Sequence, residues 1–300
     1  MSRELTVAFK RYMEESLNAP KVGIGPVERF KDAPPGHRPT DLLPGAKAVV
    51  TIPIPVLRSL LGLLERMETG GFYPKEHRVR SDSKEEVTDV NRAMYAHIYG
   101  RCCYETHNVE AHRIGLWGSV WLENKGYESL PVPVSAGMTF APMPFPDQYP
   151  APLSMRHAAV ACGLGELGLS NLFMTPDMGP RVRLTAFITT APLEPDPMMM
   201  KPLCLGDEKC GLCVKACPAK AFGEPYDFEM AGKRMRLASF DKKKCAHRTE
   251  YCQGTCVRVC PVGKRGNYLG SSLVPGSATP RISKDSLRAE HPAASDRFLS

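Results

Sequence analysis

The stretch CLGDEKCGLCVKACP (204–218), together with its counterpart CAHRTEYCQGTCVRVCP (245–261), decides the reading of this chain. The first reads Cys204-x5-Cys210-x2-Cys213-x3-Cys217-Pro218. The second reads Cys245-x6-Cys252-x3-Cys256-x3-Cys260-Pro261. Eight of the 11 cysteines lie in these two sets, and the other three are Cys102, Cys103 and Cys162. The first residues, MSRELTVAFK, show no basic n-region, no apolar h-region and no twin arginine, so the expectation is a cytoplasmic protein. Thiols crowded in such a chain point to metal or redox chemistry before structural disulfides. Zinc favours two Cys-x2-Cys knuckles and offers no reason for a proline after each last cysteine. Two [4Fe–4S] clusters account for the pattern.

A [4Fe–4S] cube needs four thiolates around it. A short loop wraps three irons, and the fourth is easier to reach from a distant segment. In two-cluster ferredoxins the cysteine before proline therefore ligates the other cluster. Applied here, cluster I takes Cys204, Cys210, Cys213 and Cys260, and cluster II takes Cys245, Cys252, Cys256 and Cys217. The spacings depart from the usual x2-x2-x3 run: the first gap of each set is wider, and the second set has x3 where x2 is usual.

Outward from the cysteines, the composition is that of a globular protein. The chain has 300 residues, 43% hydrophobic and 24% charged, which excludes wholesale disorder. No apolar run approaches the roughly 20 residues needed to span a bilayer. The formal charge of +7 is spread along the chain, and apart from Lys242, Lys243 and Lys244 there is no clustering of the kind a nucleic-acid surface needs. Three regions follow: an α/β core over 1–200, the cluster lobe over 201–264, read as separate and built of short linkers, and a Ser-, Pro- and charge-rich tail over 265–300. Within the core, helical spacing runs from Glu4 to Leu17, and KVGIGPV (21–27) is extended. AVVTIPIPV (48–56) is a strand whose prolines suit an end or an edge. Ser83 with Glu86 forms a capping box for a helix carrying Val87, Val90, Met94, Ile98 and Cys102 on one face. Trp117 and Trp121, four apart, read as one core-facing stripe. VRLTAFITT (182–190) is the clearest strand, and strands alternating with helices argue for an α/β core.

The segment HAAVACGLGELGLSNLFMTPDMGPRVRLTAFITTAPLEPD (157–196) leads directly into the first cysteine set. It resembles the cobalamin-binding core shared by reductive dehalogenases and epoxyqueuosine reductases. In that superfamily an AGLGxxG turn, a TPxxGPRVR strand entry and a LEPD exit precede a double [4Fe–4S] module. The matching residues are Gly163, Leu164, Gly165, Gly168, Thr175, Pro176, Gly179, Pro180, Arg181, Val182 and Arg183. The resemblance implies a cobalamin-processing, nitroreductase-like α/β core with a C-terminal 2[4Fe–4S] ferredoxin-like lobe. It implies cobalamin held by Gly163, Gly165, Gly168, Thr175, Gly179 and Arg181, with glycines letting backbone approach a large flat ligand. It further implies an oxidoreductase that passes electrons from a ferredoxin or flavodoxin, through the clusters, to cobalt for dehalogenase-like chemistry on a small molecule. Two other readings of the same residues stand beside it: an electron-transfer protein that reduces a corrinoid partner without cobalamin of its own, and a reductase whose core holds flavin. Epoxyqueuosine reductases carry an Arg-Asp-Tyr-His motif and a helical-repeat region that are not found here, so neither nucleic acid nor membrane is an expected partner. A homo-oligomer is compatible with the sequence.

Dehalogenases use a tyrosine as proton donor. Tyr104 is the candidate catalytic residue, with Tyr95 and Tyr99 as competitors and Arg101 and His107 as charge partners at helical spacing. Glu110-x-His112-x-x-Gly115 is similar to the cobalt-coordinating Asp-x-His-x-x-Gly signature, with Glu in place of Asp. His157 reads as a structural histidine beside the glycine turn, and Cys102, Cys103 and Cys162 read as spare thiols, the neighbouring pair pointing to different faces of a helix.

Overall fold

The computed structural model describes residues 2–63, 79–80, 86–87, 94–95, 97–134, 151–246, 252 and 254–264. Its centre is a four-stranded sheet in the order Gly23–Pro26, Ala48–Pro55, Val182–Thr189, Ser129–Val132, antiparallel throughout. The mixed α/β class expected from the sequence is therefore present.

The two long strands pair over their whole length, from Ala48 opposite Thr189 to Pro55 opposite Val182. Side chains alternate across such a sheet. Ala48, Val50, Ile52, Ile54 and Phe187 enter one apolar cluster with Phe9, Met13, Ile114 and Leu122. Val49, Leu184, Ala186 and Ile188 enter another with Ala158, Val160, Leu164 and Leu167. The first face is covered by the N-terminal helix Arg3–Arg11, which continues through Tyr12–Ser16, and by the long helix Thr106–Glu123. The second is covered by the short helix Met155–Ala161.

The prolines of AVVTIPIPV lie on an interior strand. Gly23–Pro26 pairs only with Ala48–Thr51, so Pro53 and Pro55 fall beyond its end. They lack an N–H where no neighbour asks for one, and the other side of the strand stays paired with Val182–Thr189.

Two further expectations change. Glu86–Val87 is extended and pairs with Val79–Arg80, so the helical face does not include Val87; Ser83 and Val90 lie outside the described residues, as does the tail over 265–300. Trp121 stacks on Tyr12 and packs against Phe9, but Trp117 is 47% exposed, so the two tryptophans do not share a core-facing stripe.

The segment between the two cysteine sets is an antiparallel hairpin, Phe222–Met230 with Lys233–Phe240. Its Met235 and Leu237 are buried in the same cluster as Val160 and Leu167. Leu167 N–H donates to Met235 Sδ at 3.3 Å and Ala238 N–H to Leu169 O at 2.9 Å. The cluster lobe thus shares apolar packing with the core.

Phe187 is fully buried, edge-on to Phe9 at 6.0 Å, and a Cβ on Gly118 of the long helix would come within 3.0 Å of its ring. Phe187→Ala is expected to lower unfolding free energy by about 3–5 kcal/mol in chemical denaturation, through the cavity it leaves.

Candidate metal centre

Four of the eight cysteines sit on or beside a single helical turn. Gly206–Lys209 precedes Cys210, Leu212–Lys215 carries Cys213, Lys242–Ala246 carries Cys245 and Thr255–Val259 carries Cys256. Gly211 and Gly254 start two of these turns with φ of 60° and 72°, a left-handed conformation that costs glycine little. The turns Leu212–Lys215 and Thr255–Val259 pack together, which brings the two cysteine sets side by side.

Cys204, Cys210, Cys213 and Cys260 line one cavity of about 400 Å³, counting the part open to solvent, together with Leu169, Met174 and Val262. Three of these four thiols come from the first set and one from the end of the second. The other four are neighbours in electrostatic terms: Cys245 feels Cys252 and Cys217, and Cys256 feels Cys252 and Cys245. Among the described residues, no three Cys, His, Asp or Glu side chains converge closely enough for a single metal ion. The thiols surround a volume.

Burial disfavours free thiolates here until cations bind between them. Burial pushes the Cys256 thiol up to about 12, and burial with neighbouring thiols also raises Cys213, Cys245 and Cys260. Thiols so placed ionise when cations take the charge. Leu169 N–H donates to Cys204 Sγ at 3.4 Å and Ala221 N–H to Cys217 Sγ at 3.5 Å, the backbone bonds that tune thiolate-ligated clusters. Beside the second group, Tyr95 is fully buried, and among the described residues neither its hydroxyl nor the buried Nε of Arg258 has a hydrogen-bond partner. Cys252 and Arg258 both act electrostatically on Tyr95. Two orphaned donors beside a thiol group are what an anionic cluster would satisfy.

The six residues assigned to cobalamin are differently engaged. A Cβ at Gly163, Gly165, Gly168 or Gly179 would run into Pro197 O, Met174 O, Met174 Cε or Val262 O. On the side a Cβ would occupy, the close approach these glycines permit is between chain and chain. Thr175 is buried, and its Oγ1 accepts from Met178 N–H at 3.1 Å. Arg181 is 3% exposed. Its guanidinium donates to Val257 O at 3.1 Å, to Cys260 O at 3.0 Å and to Val262 O. The strand entry therefore fastens the end of the second cysteine set onto the core.

Tyr104 has a cationic neighbour, but it is Arg183, 4.2 Å over its ring, with Arg183 also donating to Asn108 Oδ1 at 2.6 Å. Arg101 instead pairs with Glu105 at 2.6 Å, and the His107 ring nitrogens meet the carbonyls of Cys102 and Pro55. Burial pushes Tyr99 up to about 12 and raises Tyr95 further. The Glu110–His112–Gly115 signature is taken up by structure: Glu110 pairs with Arg113, His112 Nε2 accepts from Val134 N–H, and a Cβ on Gly115 would crowd Thr185. His157 meets Ser154 Oγ at 2.6 Å and packs on Phe228. Cys162 is fully buried against Thr51 and Val49 O, and burial pushes it up to about 12.

No family model matches this chain. The tetrachloroethene reductive dehalogenase of Sulfurospirillum multivorans is 36% identical over 124 residues, 37% of this chain and 24% of that protein. The enzyme of the same description from Dehalobacter restrictus is 35% identical over 123 residues, 35% of this chain and 21% of that protein. The matched segment is thus about a quarter of the length of these curated relatives. Among solved structures, epoxyqueuosine reductase from Bacillus subtilis superposes with a TM-score of 0.51 over 92% of this chain and 70% of its own, at 17% identity. A reductive dehalogenase, described with B12-dependent dehalogenation, superposes with a TM-score of 0.50 over 83% of this chain and 30% of its own, also at 17% identity. The superfamily resemblance read from the motifs is borne out, in fold and in one stretch of sequence. Among the described residues no helix is long and apolar enough to cross a membrane.

Arg181→Met leaves three carbonyl oxygens without their donor. It is expected to cost about 3 kcal/mol in chemical denaturation and to speed iron loss from reconstituted protein to a chelator, followed by absorbance.

Proposed function

We propose that the chain is an iron–sulfur oxidoreductase of the reductive dehalogenase and epoxyqueuosine reductase type, acting on a small molecule. Cys204, Cys210, Cys213 and Cys260 hold one [4Fe–4S] cluster, and Cys217, Cys245, Cys252 and Cys256 hold the second. The observation that carries this reading is the single cavity lined by the first four thiols, drawn from both ends of the cysteine-rich stretch. Bound clusters of this kind supply one-electron transfer. The chain's own part is to donate backbone N–H groups from Leu169 and Ala221 to the sulfurs and to fasten Cys260 through Arg181.

Cobalamin is the acceptor that the likeness to B12-dependent relatives suggests. The six residues assigned to it from sequence also make contacts within the protein; they remain the residues that would hold it, and no step is routed through cobalamin. The same observation favours a second reading, an iron–sulfur protein that reduces a corrinoid-bearing or flavin-bearing partner. In either case the electron donor is a ferredoxin or flavodoxin. Exposed Lys242, Lys243 and Lys244, next to Cys245, suit an acidic carrier of that kind.

The test is metal content after anaerobic reconstitution and incubation with hydroxocobalamin, measured per chain after gel filtration. About eight irons and one cobalt are expected of the reductase reading. About eight irons without cobalt support the second reading. Cys213→Ala is expected to fall to about four irons, with one set of cluster signals surviving. Iron content unchanged in that variant would refute the ligand assignment.

A further inference from the structure

Glu166, on the two-residue strand Glu166–Leu167 within the glycine turn, is buried and carries a full set of partners. Its Oε1 accepts from Leu203 N–H at 2.7 Å and from Cys204 N–H at 2.6 Å. Its Oε2 meets Lys233 Nζ at 2.9 Å, with side-chain exposures of 5% and 2%. Lys233 Nζ also donates to Met199 O at 2.6 Å and to Lys201 O at 3.3 Å. Lys233 opens the second strand of the hairpin that lies between the two cysteine sets. One buried ion pair therefore grips the segment from Met199 to Cys204 from both sides. The carboxylate takes its N–H groups and the ammonium takes its carbonyls.

We infer that Glu166 and Lys233 are positioning residues for the first cluster, and that their opposite charges set its reduction potential. The inference rests on the proposed ligation by Cys204. Buried ion pairs tend to be poor stabilisers relative to apolar replacements, because desolvation offsets their attraction. This one also places two full charges next to a ligand, where water does not screen them. Reduction adds an electron to the cluster. A neighbouring carboxylate opposes that electron and a neighbouring ammonium favours it, so removing each charge moves the potential in the opposite direction. A pair that only held the loop would give same-signed changes, or none, when either partner was removed. The hairpin thereby gains a role beyond packing, since it delivers the positive member of the pair.

The experiment is a redox titration of reconstituted holoprotein, followed by electron paramagnetic resonance, on wild type, Glu166→Gln, Lys233→Met and Lys233→Arg. Gln keeps an acceptor for the Leu203 and Cys204 N–H groups while removing the charge. Glu166→Gln is expected to raise one cluster's midpoint and Lys233→Met to lower that same midpoint. Each shift should change the reduced-to-oxidised ratio at fixed potential about tenfold, or about 59 mV for one electron. Lys233→Arg should stay near wild type, and the other cluster should move less. If Lys233→Met fails to fold, Lys233→Gln takes its place as the variant that removes the positive charge. Same-signed shifts, or unmoved midpoints in variants with wild-type iron content, would overturn the inference and leave the ligation intact. Wild-type protein that binds no iron would instead overturn the ligation itself, and the inference with it.

Discussion

Arg181 spends its guanidinium on the carbonyl oxygens of Val257, Cys260 and Val262, and it is almost wholly buried in doing so. Everything at the metal centre depends on that contact. Cys260 belongs by sequence to the second cysteine set, yet it lines a cavity with three thiols of the first. It gets there because the chain just beyond the turn Thr255–Val259 is pulled onto the entry of the strand Val182–Thr189. Gly179 makes the approach possible, since any side chain at that position would overlap Val262 O. The sheet supplies rigidity behind the clamp, with Val182 paired to Pro55 immediately after Arg181.

The same economy runs through the turn between residues 163 and 181. It lies against the sheet on one side and against the cluster lobe on the other. Leu164 and Leu167 are buried in the core, Leu169 N–H reaches Cys204 Sγ, and Glu166 reaches the backbone of Cys204. The turn therefore couples the antiparallel sheet to the first group of thiols. Its glycines serve chain-to-chain packing, and its charged residues serve the cluster lobe.

What was legible in the sequence follows from what is local. The cysteine spacings and the two Cys-Pro ends are short-range patterns, and they carry the [4Fe–4S] reading without any fold. The strands Ala48–Pro55 and Val182–Thr189 are rich in apolar and β-branched residues and announce themselves as well. The partner of Tyr104 was not legible, because Arg183 reaches it from a strand far along the chain rather than from the next helical turn. The hairpin Phe222–Met230 with Lys233–Phe240 was missed because its first strand has no buried residue and no strict alternation, and charges stand at Glu224, Asp227, Glu229, Arg234 and Arg236. Its role appears only once Met235, Leu237 and Lys233 are seen facing the core. The glycines and Arg181 were read as ligand contacts from the motif, which does not record the chain contacts they also make.

The central claim is that the two cysteine sets exchange their last members. The direct measurement is diffraction from crystals of the reconstituted holoprotein at the iron absorption edge. The account predicts two iron peaks, one enclosed by Cys204, Cys210, Cys213 and Cys260, the other by Cys217, Cys245, Cys252 and Cys256. A peak enclosed by Cys204, Cys210, Cys213 and Cys217, with Cys260 turned to the other site, would contradict it.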